Sequence, residues 1–308
     1  AYSYLLAILI SLFQAGTVAV FFKLEEKLQL EKIGISRVWV YFALTVGLFY
    51  SWSYFDPIAV FFLLLSISLI LDKKDELAAL SIAAGVLTKW FPILVIPVLW
   101  KIRSPKKAFR MTLLVLGLVT LVWGALYVLN PDMTGASLVS QINKGSWETI
   151  WALMDKNIGT GNFGANIDRY IPDMAKVSTR NQSLIPSWIT LLVFGSLGLG
   201  LLYKSNNQSA SWVISFVGLS IVIFFLWSPG YSPQWILYLL PFILLSLPER
   251  EAYLLGAALV LINLLEWPIL LSRGYFWSLY YLIPFRTLLM TLLGVRLYQR
   301  SIGYIRTR

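Results

Sequence analysis

Apolar residues in this chain do not alternate with polar ones at a helix or strand period. They come in blocks. Runs such as 58–71 and 113–129 are apolar on every side, so the medium around them is lipid and not water. Blocks of roughly 17–25 apolar residues, bounded by charge or by turn formers, predict nine spanning helices. They fall at about 3–22, 37–54, 57–71, 109–129, 187–203, 211–227, 233–247, 252–272 and 276–296. The two shortest begin at Asp56-Pro57 and Ser232-Pro233, where proline suits a first helical turn. A tenth apolar block, about 77–100, is broken at its centre by Lys89-Trp-Phe-Pro92. The expected fold class is an all-α polytopic membrane protein, with one integral membrane domain over residues 1–308.

One segment departs from this pattern. Residues 130–186 are polar and carry Asp132, Glu148, Asp155, Asp168 and Asp173 among aromatics, glycines and amides. Loops longer than about 12–15 residues are usually functional or disordered, and this one is too rich in Trp, Phe, Tyr and Ile to be a solvated tether. It is expected to fold over one face of the bundle.

Composition narrows the chemistry. The chain has neither cysteine nor histidine, which excludes disulfides, thiol chemistry, imidazole bases and the usual zinc and haem ligands. Acid–base work falls to carboxylates, Tyr or Lys. The net charge of +10 reports loop sidedness, because Lys and Arg gather in cytoplasmic loops; no nucleic-acid partner is implied. With the long loop outside, 17 of the 25 basic residues lie on inner connections, from Lys23 to the C-terminal tail. The expected location is the inner (plasma) membrane, multi-pass, with the long loop extracytoplasmic and the C-terminus cytoplasmic. Both ends of block 77–100 are then cytoplasmic, which predicts two half-helices meeting near Lys89 as a re-entrant segment. The chain opens on Ala1 with apolar sequence at once and no basic leader, and it is expected to lack its natural N-terminus.

Asp56, Lys89, Glu266 and Arg286 sit within or at the edges of apolar blocks. Each costs at least about 2.5–3.5 kcal/mol in lipid, so none is expected to be idle. Glu266 and Arg286 fall at similar depth on consecutive spans and are expected to pair, either as a structural salt bridge or as part of a substrate pocket. Trp147-Glu-Thr-Ile-Trp151 puts two indoles four residues apart beside a carboxylate. Ser228-Pro-Gly-Tyr-Ser-Pro-Gln-Trp235 is a proline-set turn bearing hydroxyl, amide and indole groups. Gly159-Thr-Gly-Asn-Phe-Gly164 is glycine-rich without the spacing of a phosphate loop. Aromatics beside carboxylates and amides suit sugar rings, although most of the 13 tryptophans fit the interfacial belt of any membrane protein.

Phe55-Asp-Pro57, an apolar span, a charged turn and Ala84-Gly-Val-Leu-Thr-Lys-Trp-Phe-Pro92 resemble the GT-C class of polyprenol-phosphate-sugar-dependent glycosyltransferases, among them the family 87 and mannosyltransferase-like bacterial members. Trp147–Asp155, Thr160–Gly164, Ser228–Trp235 and Leu265–Arg273 are similar to segments of that class. The resemblance implies a GT-C-like bundle that transfers a hexose such as mannose from a polyprenyl-phosphate donor to a lipid or glycan acceptor on the extracytoplasmic face. No cofactor is required, and a divalent metal is compatible. The candidate catalytic carboxylates are Asp56, Glu148 and Asp155, with the main acid of that class expected upstream of Ala1. Lys89, Arg180 and Arg273 are the candidates to meet the donor phosphate, and Trp147, Gln234, Trp235, Glu266 and Arg286 to line the pocket. A transporter or lipid flippase, or a noncatalytic membrane subunit, remains the alternative, weakened by the absence of an internal repeat.

The charge asymmetry makes a direct prediction. In intact cells a membrane-impermeant thiol reagent should modify a Ser137→Cys variant and leave Lys106→Cys untouched; the opposite result would invert the topology.

Overall fold

The computed structural model describes residues 2–30, 35–142, 144–159, 170–177, 180–205 and 208–303. They form an all-helical bundle: α1 (Tyr2–Lys27), α2 (Arg37–Val46), α3 (Tyr50–Ser53), α4 (Asp56–Leu71), α5 (Asp75–Thr88), α6 (Ile96–Ile102), α7 (Pro105–Leu129), α8 (Pro131–Ile142), α9 (Ile150–Met154), α10 (Ser187–Lys204), α11 (Ala210–Trp227), α12 (Ile236–Ser246), α13 (Glu249–Leu264) and α14 (Leu279–Ser301). No strand occurs among the described residues. Six helical segments are long and apolar enough to cross a membrane: Tyr4–Lys27, Pro105–Leu129, Ser187–Lys204, Ala210–Trp227, Glu249–Arg273 and Phe276–Ser301. α1, α7 and α10 turn leucines, valines and aromatics outward along their length. Such an apolar exterior is that of a polytopic membrane protein, where lipid replaces water around the bundle.

Ion pairs and carbonyl contacts sort the connections onto two ends. At one end Lys23 and Lys27 of α1 both hold Asp72, just after α4. Hydrogen bonds from Lys23 and then Lys27 hold the Asp72 carboxyl down to about 2. At the same end, Arg37 donates to the carbonyls of Leu244 and Leu247, where α12 stops and leaves acceptors unsatisfied. Lys101 reaches the Tyr203 carbonyl at 3.2 Å, and Arg296 pairs with Glu251. The basic connections thus share one end of the bundle. The opposite end carries the 144–159 stretch, the 228–235 turn and the 265–278 connection.

Residues 75–102 turn back on themselves. Arg103, just past the end of α6, donates to Asp75 at the start of α5 at 2.9 Å, and Lys107 pairs with the other oxygen of Asp75. Both ends of the segment therefore lie at the basic end. α5 is 14 residues long, about 21 Å at 1.5 Å per residue, shorter than a hydrocarbon core of about 30 Å. The chain reverses where Lys89 adopts an extended backbone, φ −160° and ψ 143°, followed by the 3-10 turn Phe91–Val95. Gly85 makes the return close, because a Cβ there would stand 2.7 Å from Pro92 Cγ.

Three of the nine expected spans differ from long single helices. Block 37–54 is two helices, α2 and α3. Ser51 Oγ donates to the Thr45 carbonyl at 2.8 Å, and Gly47 ends α2, so side-chain bonds compete with the helix ladder there. Blocks 57–71 and 233–247 form short helices of 16 and 11 residues. Every residue of α12 is buried, so protein and not lipid surrounds it, and its length need not match a bilayer. α11 and α12, with the inner faces of α4, α5 and α14, make the core.

Removing the clasp should loosen the reversal. Asp75→Ala leaves a half-buried Arg103 without its carboxylate and should cost about 2 kcal/mol, with partial solvation reducing the penalty of a fully buried pair. The equivalent Asp72→Ala, whose lysines are more exposed, should cost less. Thermal unfolding of the two variants in detergent checks the order.

Candidate functional site

The long loop is fixed to the bundle by backbone as well as side chains. Trp147 N–H donates to the Pro229 carbonyl at 3.2 Å, and Tyr231 N–H donates to the Trp147 carbonyl at 3.1 Å, a short parallel bridge between Trp147 and Gly230. Gly230 is required there: a Cβ would lie 2.2 Å from the Trp147 ring. Glu148 follows with φ +52°, a left-handed conformation uncommon for a side-chain residue. It redirects the chain so that Thr149 caps α9, accepting from Ala152 N–H at 3.2 Å and donating to the Pro229 carbonyl at 2.8 Å. Trp151 Nε1–H then reaches the Leu226 carbonyl at 3.0 Å.

Beneath this strap lies a buried charge cluster. Glu266 and Arg286, 0% and 1% exposed, form an ion pair. The same guanidinium donates to the Glu148 carbonyl and lies 3.9 Å from the centre of the Tyr231 ring. Tyr231 in turn donates to Asn263 Oδ1 at 2.9 Å, and Tyr50 donates to the carbonyls of Asn263 and Trp267. Glu266 sits on a wide turn, Leu265–Leu270, that interrupts the helix after α13. Arg180, whose aliphatic stem packs over Gly145 and whose guanidinium reaches Gly159, lies within electrostatic reach of Glu148. Burial pushes the Arg180 pKa down, and Glu148 opposes the shift.

A second charged pair stands on the same end. Lys89 Nζ donates to both oxygens of Asp56, at 2.8 and 3.0 Å. The carboxylate is 1% exposed and the ammonium 29%. Lys144 stands near enough to Lys89 for the two to repel, and burial first, then Lys89, pushes its ammonium below the ordinary lysine value. Lys144 also lies 5.9 Å from the Trp147 ring centre and bonds Gln141 at 2.8 Å. Tyr54 is within electrostatic reach of both Asp56 and Glu148.

A cavity of about 390 Å³ opens between α10, α11 and α14, within the size range of small-molecule sites. Phe194, Leu197, Phe225, Leu226 and Met290 give it apolar walls, and Glu148, Tyr231 and Arg286, which are in contact with one another, also line it.

Several sequence-derived candidates sit elsewhere than expected. Asp155 is a loop strut: its carboxylate accepts from Ser146 Oγ at 2.6 Å and from Leu184 N–H at 2.8 Å. Trp235 is core, packed on Phe91, Phe225 and Tyr231, and offers no open ring to a sugar. Arg273 is exposed and bonds the Ile269 carbonyl in its own turn. Gln234 and Trp147 are half-buried. The glycine-rich residues 160–164 and Asp168 lie outside the described residues. Sequence reading missed Tyr231, Tyr50, Asn263 and Lys144; a Tyr and an Asn in apolar blocks signal polar partners only once the packing is known. Among the described residues no group of three carboxylates is placed to hold a metal. Compared with family models, curated proteins and solved structures, the chain matches none of them.

Breaking the buried pair should be severe. Glu266→Ala leaves Arg286 uncompensated and should cost about 3–5 kcal/mol. The reciprocal exchange Glu266→Arg with Arg286→Glu should not restore stability, because residue 286 must also serve the Glu148 carbonyl and the Tyr231 ring. Thermal unfolding of the purified variants reads both outcomes.

Proposed function

We propose that this protein is a GT-C-type membrane glycosyltransferase, moving a hexose such as mannose from a polyprenyl-phosphate donor to an acceptor at the end of the bundle covered by the long loop. The observation that carries the reading is the presence, on that one end, of a cationic corner at Lys89 and Lys144 and of an acidic residue, Glu148, among those lining an apolar cavity. A lipid-phosphate sugar needs both a cation for its phosphate and a base for the incoming hydroxyl.

In this reading Lys89, held by Asp56, and Lys144 receive the donor phosphate. Asp56 positions Lys89 and is not the base, since both its oxygens are engaged by the ammonium. Glu148 is the best-placed carboxylate to take a proton. The acceptor oxygen attacks the anomeric carbon and its proton passes to the carboxylate. The bond from that carbon to the phosphate oxygen breaks, and polyprenyl phosphate leaves with the electron pair. Holding donor and acceptor in line supplies much of the acceleration. Arg286 and Glu266 hold the base's backbone in place without joining the chemistry. This end is assigned to the extracytoplasmic side of the inner membrane on the basic-residue asymmetry. The buried Glu266–Arg286 pair is also what a transporter or flippase would carry, and that reading stands second.

The test is transfer in liposomes, using a panel of radiolabelled polyprenyl-phosphate sugars with extracted membrane lipids as acceptors. Sugar incorporation should fall at least about 100-fold in Glu148→Gln, the usual scale for a general base, and by a smaller factor in Lys144→Ala. Movement of solute or lipid across the bilayer with no sugar transfer would replace this reading with the transporter.

A further inference from the structure

Charge on the basic end is not spread evenly. Residues 72–76 and 101–110, which meet where α5 and α7 begin, hold seven lysines and arginines against three acids. The connection 23–37 holds four against three, and 249–251 with Arg296 and Arg300 holds three against two. Orientation alone would be served by cations on any connection at this end. The acids of the crowded flank are already taken: Asp72 by Lys23 and Lys27, Asp75 by Arg103 and Lys107, and Glu76 by Arg110 at a long 3.6 Å. Lys73, Lys74 and Lys106 are exposed and form no ion pair among the described residues.

Lys73 is also held at a conformational cost. Its N–H donates to the Ile70 carbonyl at 3.0 Å, and the Lys74 N–H donates to the Leu69 carbonyl at 2.9 Å. This closing turn of α4 has a left-handed residue just past the helix, usually glycine. Lys73 takes that place with φ +59°. A glycine there would carry no side-chain penalty, yet the position keeps a cation.

Below these cations runs an apolar seam. Glu76, Leu80 and Leu87 share one stripe of α5, and Lys106, Arg110, Leu113 and Gly117 share one stripe of α7, at spacings of three, four and seven residues. The Glu76–Arg110 contact sets the two stripes side by side. Leu80, Leu87 and Leu113 are exposed, and nothing stands within 4 Å of a Cβ placed on Gly117, so the seam is open to the outside. Lys106 to Gly117 is about 16 Å at 1.5 Å per residue, close to half of a hydrocarbon core of about 30 Å. A water-soluble anion meets only the charged top of this surface. A molecule with an anionic head and an acyl chain meets all of it.

We propose that the seam between α5 and α7 holds an anionic phospholipid of the leaflet at the basic end. Its phosphate lies among Lys73, Lys106 and Arg110, and one acyl chain lies along Leu80, Leu113 and Gly117. Bound there, the lipid bridges the two helices whose clasp at Asp75 closes the 75–102 reversal. Nothing in this assignment depends on the glycosyltransferase reading.

The chain has no cysteine, so Thr120→Cys, exposed about one turn below Gly117, takes a single fluorescent label. The full chain in detergent is titrated with phosphatidylglycerol and with phosphatidylcholine, both carrying brominated acyl chains that quench the label on contact. Phosphatidylglycerol should quench at a concentration at least about fivefold lower, the scale of one lysine beside an anionic lipid, and the gap should narrow in salt. A label at Leu288→Cys, exposed on α14, should be quenched by both lipids alike. Lys106→Gln with Arg110→Gln should bring the preference below about twofold, and Arg250→Gln should leave it unchanged. Lys73→Gly should weaken the preference while raising thermal stability in lipid-free detergent, opposite changes that a purely structural lysine would not give. Gly117→Phe, which fills the seam where a side chain has room, should reduce quenching by phosphatidylglycerol. Equal quenching by the two lipids at position 120, or a preference that survives the double glutamine variant, overturns the proposal. Displacement of the lipid by millimolar glycerol phosphate would overturn it too, since the site would then belong to a soluble anion.

Discussion

A guanidinium with 1% of its side chain exposed, inside a bundle surrounded by lipid, has no water to fall back on, and everything around Arg286 answers that constraint. Its partners come from three distant parts of the chain: Glu266 from the connection after α13, the Glu148 carbonyl from the long loop, and the Tyr231 ring from the turn after α11. Each is itself held: Tyr231 by Asn263, Glu148 by the bridge to the 228–231 turn, and Glu266 by the wide turn that carries it inward. The loop stays down because lifting it would strand a buried charge, at a cost of several kcal/mol.

The two ends of the bundle use charge differently. At the basic end Asp72, Asp75 and Glu251 each answer a lysine or arginine closer to solvent, and they clasp neighbouring helices. Exposed pairs of this kind contribute little individually; their effect here is to set register, holding the 75–102 reversal closed. At the opposite end charges are buried deeper, lie next to a cavity, and include two lysines close enough to repel. Like charges brought together under burial cost stability, and groups perturbed in this way cluster at functional sites. The proposed division of labour follows: cations for the donor's phosphate, a carboxylate for the acceptor's hydroxyl.

Much of this was written in local sequence. Unbroken apolar blocks required helices in lipid, and α1, α7, α10, α11 and the segments at 249–273 and 276–301 lie where those blocks predicted them. The interruption at Lys89 marked the reversal, since a charge followed by Trp-Phe-Pro cannot continue an apolar helix. Glu266 and Arg286 could be matched because depth along a helix is a linear count of residues. Charge sorting told which connections share an end, because each basic loop is displaced to one side independently of how the helices pack.

What tertiary structure alone decided is who faces whom. Asp155 and Glu148 are both acids in the same loop, and nothing in their local sequence separates them; a Ser146 hydroxyl and the Leu184 N–H make one a strut, while a left-handed backbone turns the other to the cavity wall. Trp235 and Trp147 are likewise both indoles near a turn, yet one fills the core. Block 37–54 has a span's hydrophobicity, but the Ser51 bond to Thr45 divides it, and α12 is short because protein covers it on every side. Hydrophobicity and charge act residue by residue and so survive in the sequence. Burial of a particular carboxylate, and the partner it meets, are sums over neighbours from remote segments, and these exist only once the chain is packed.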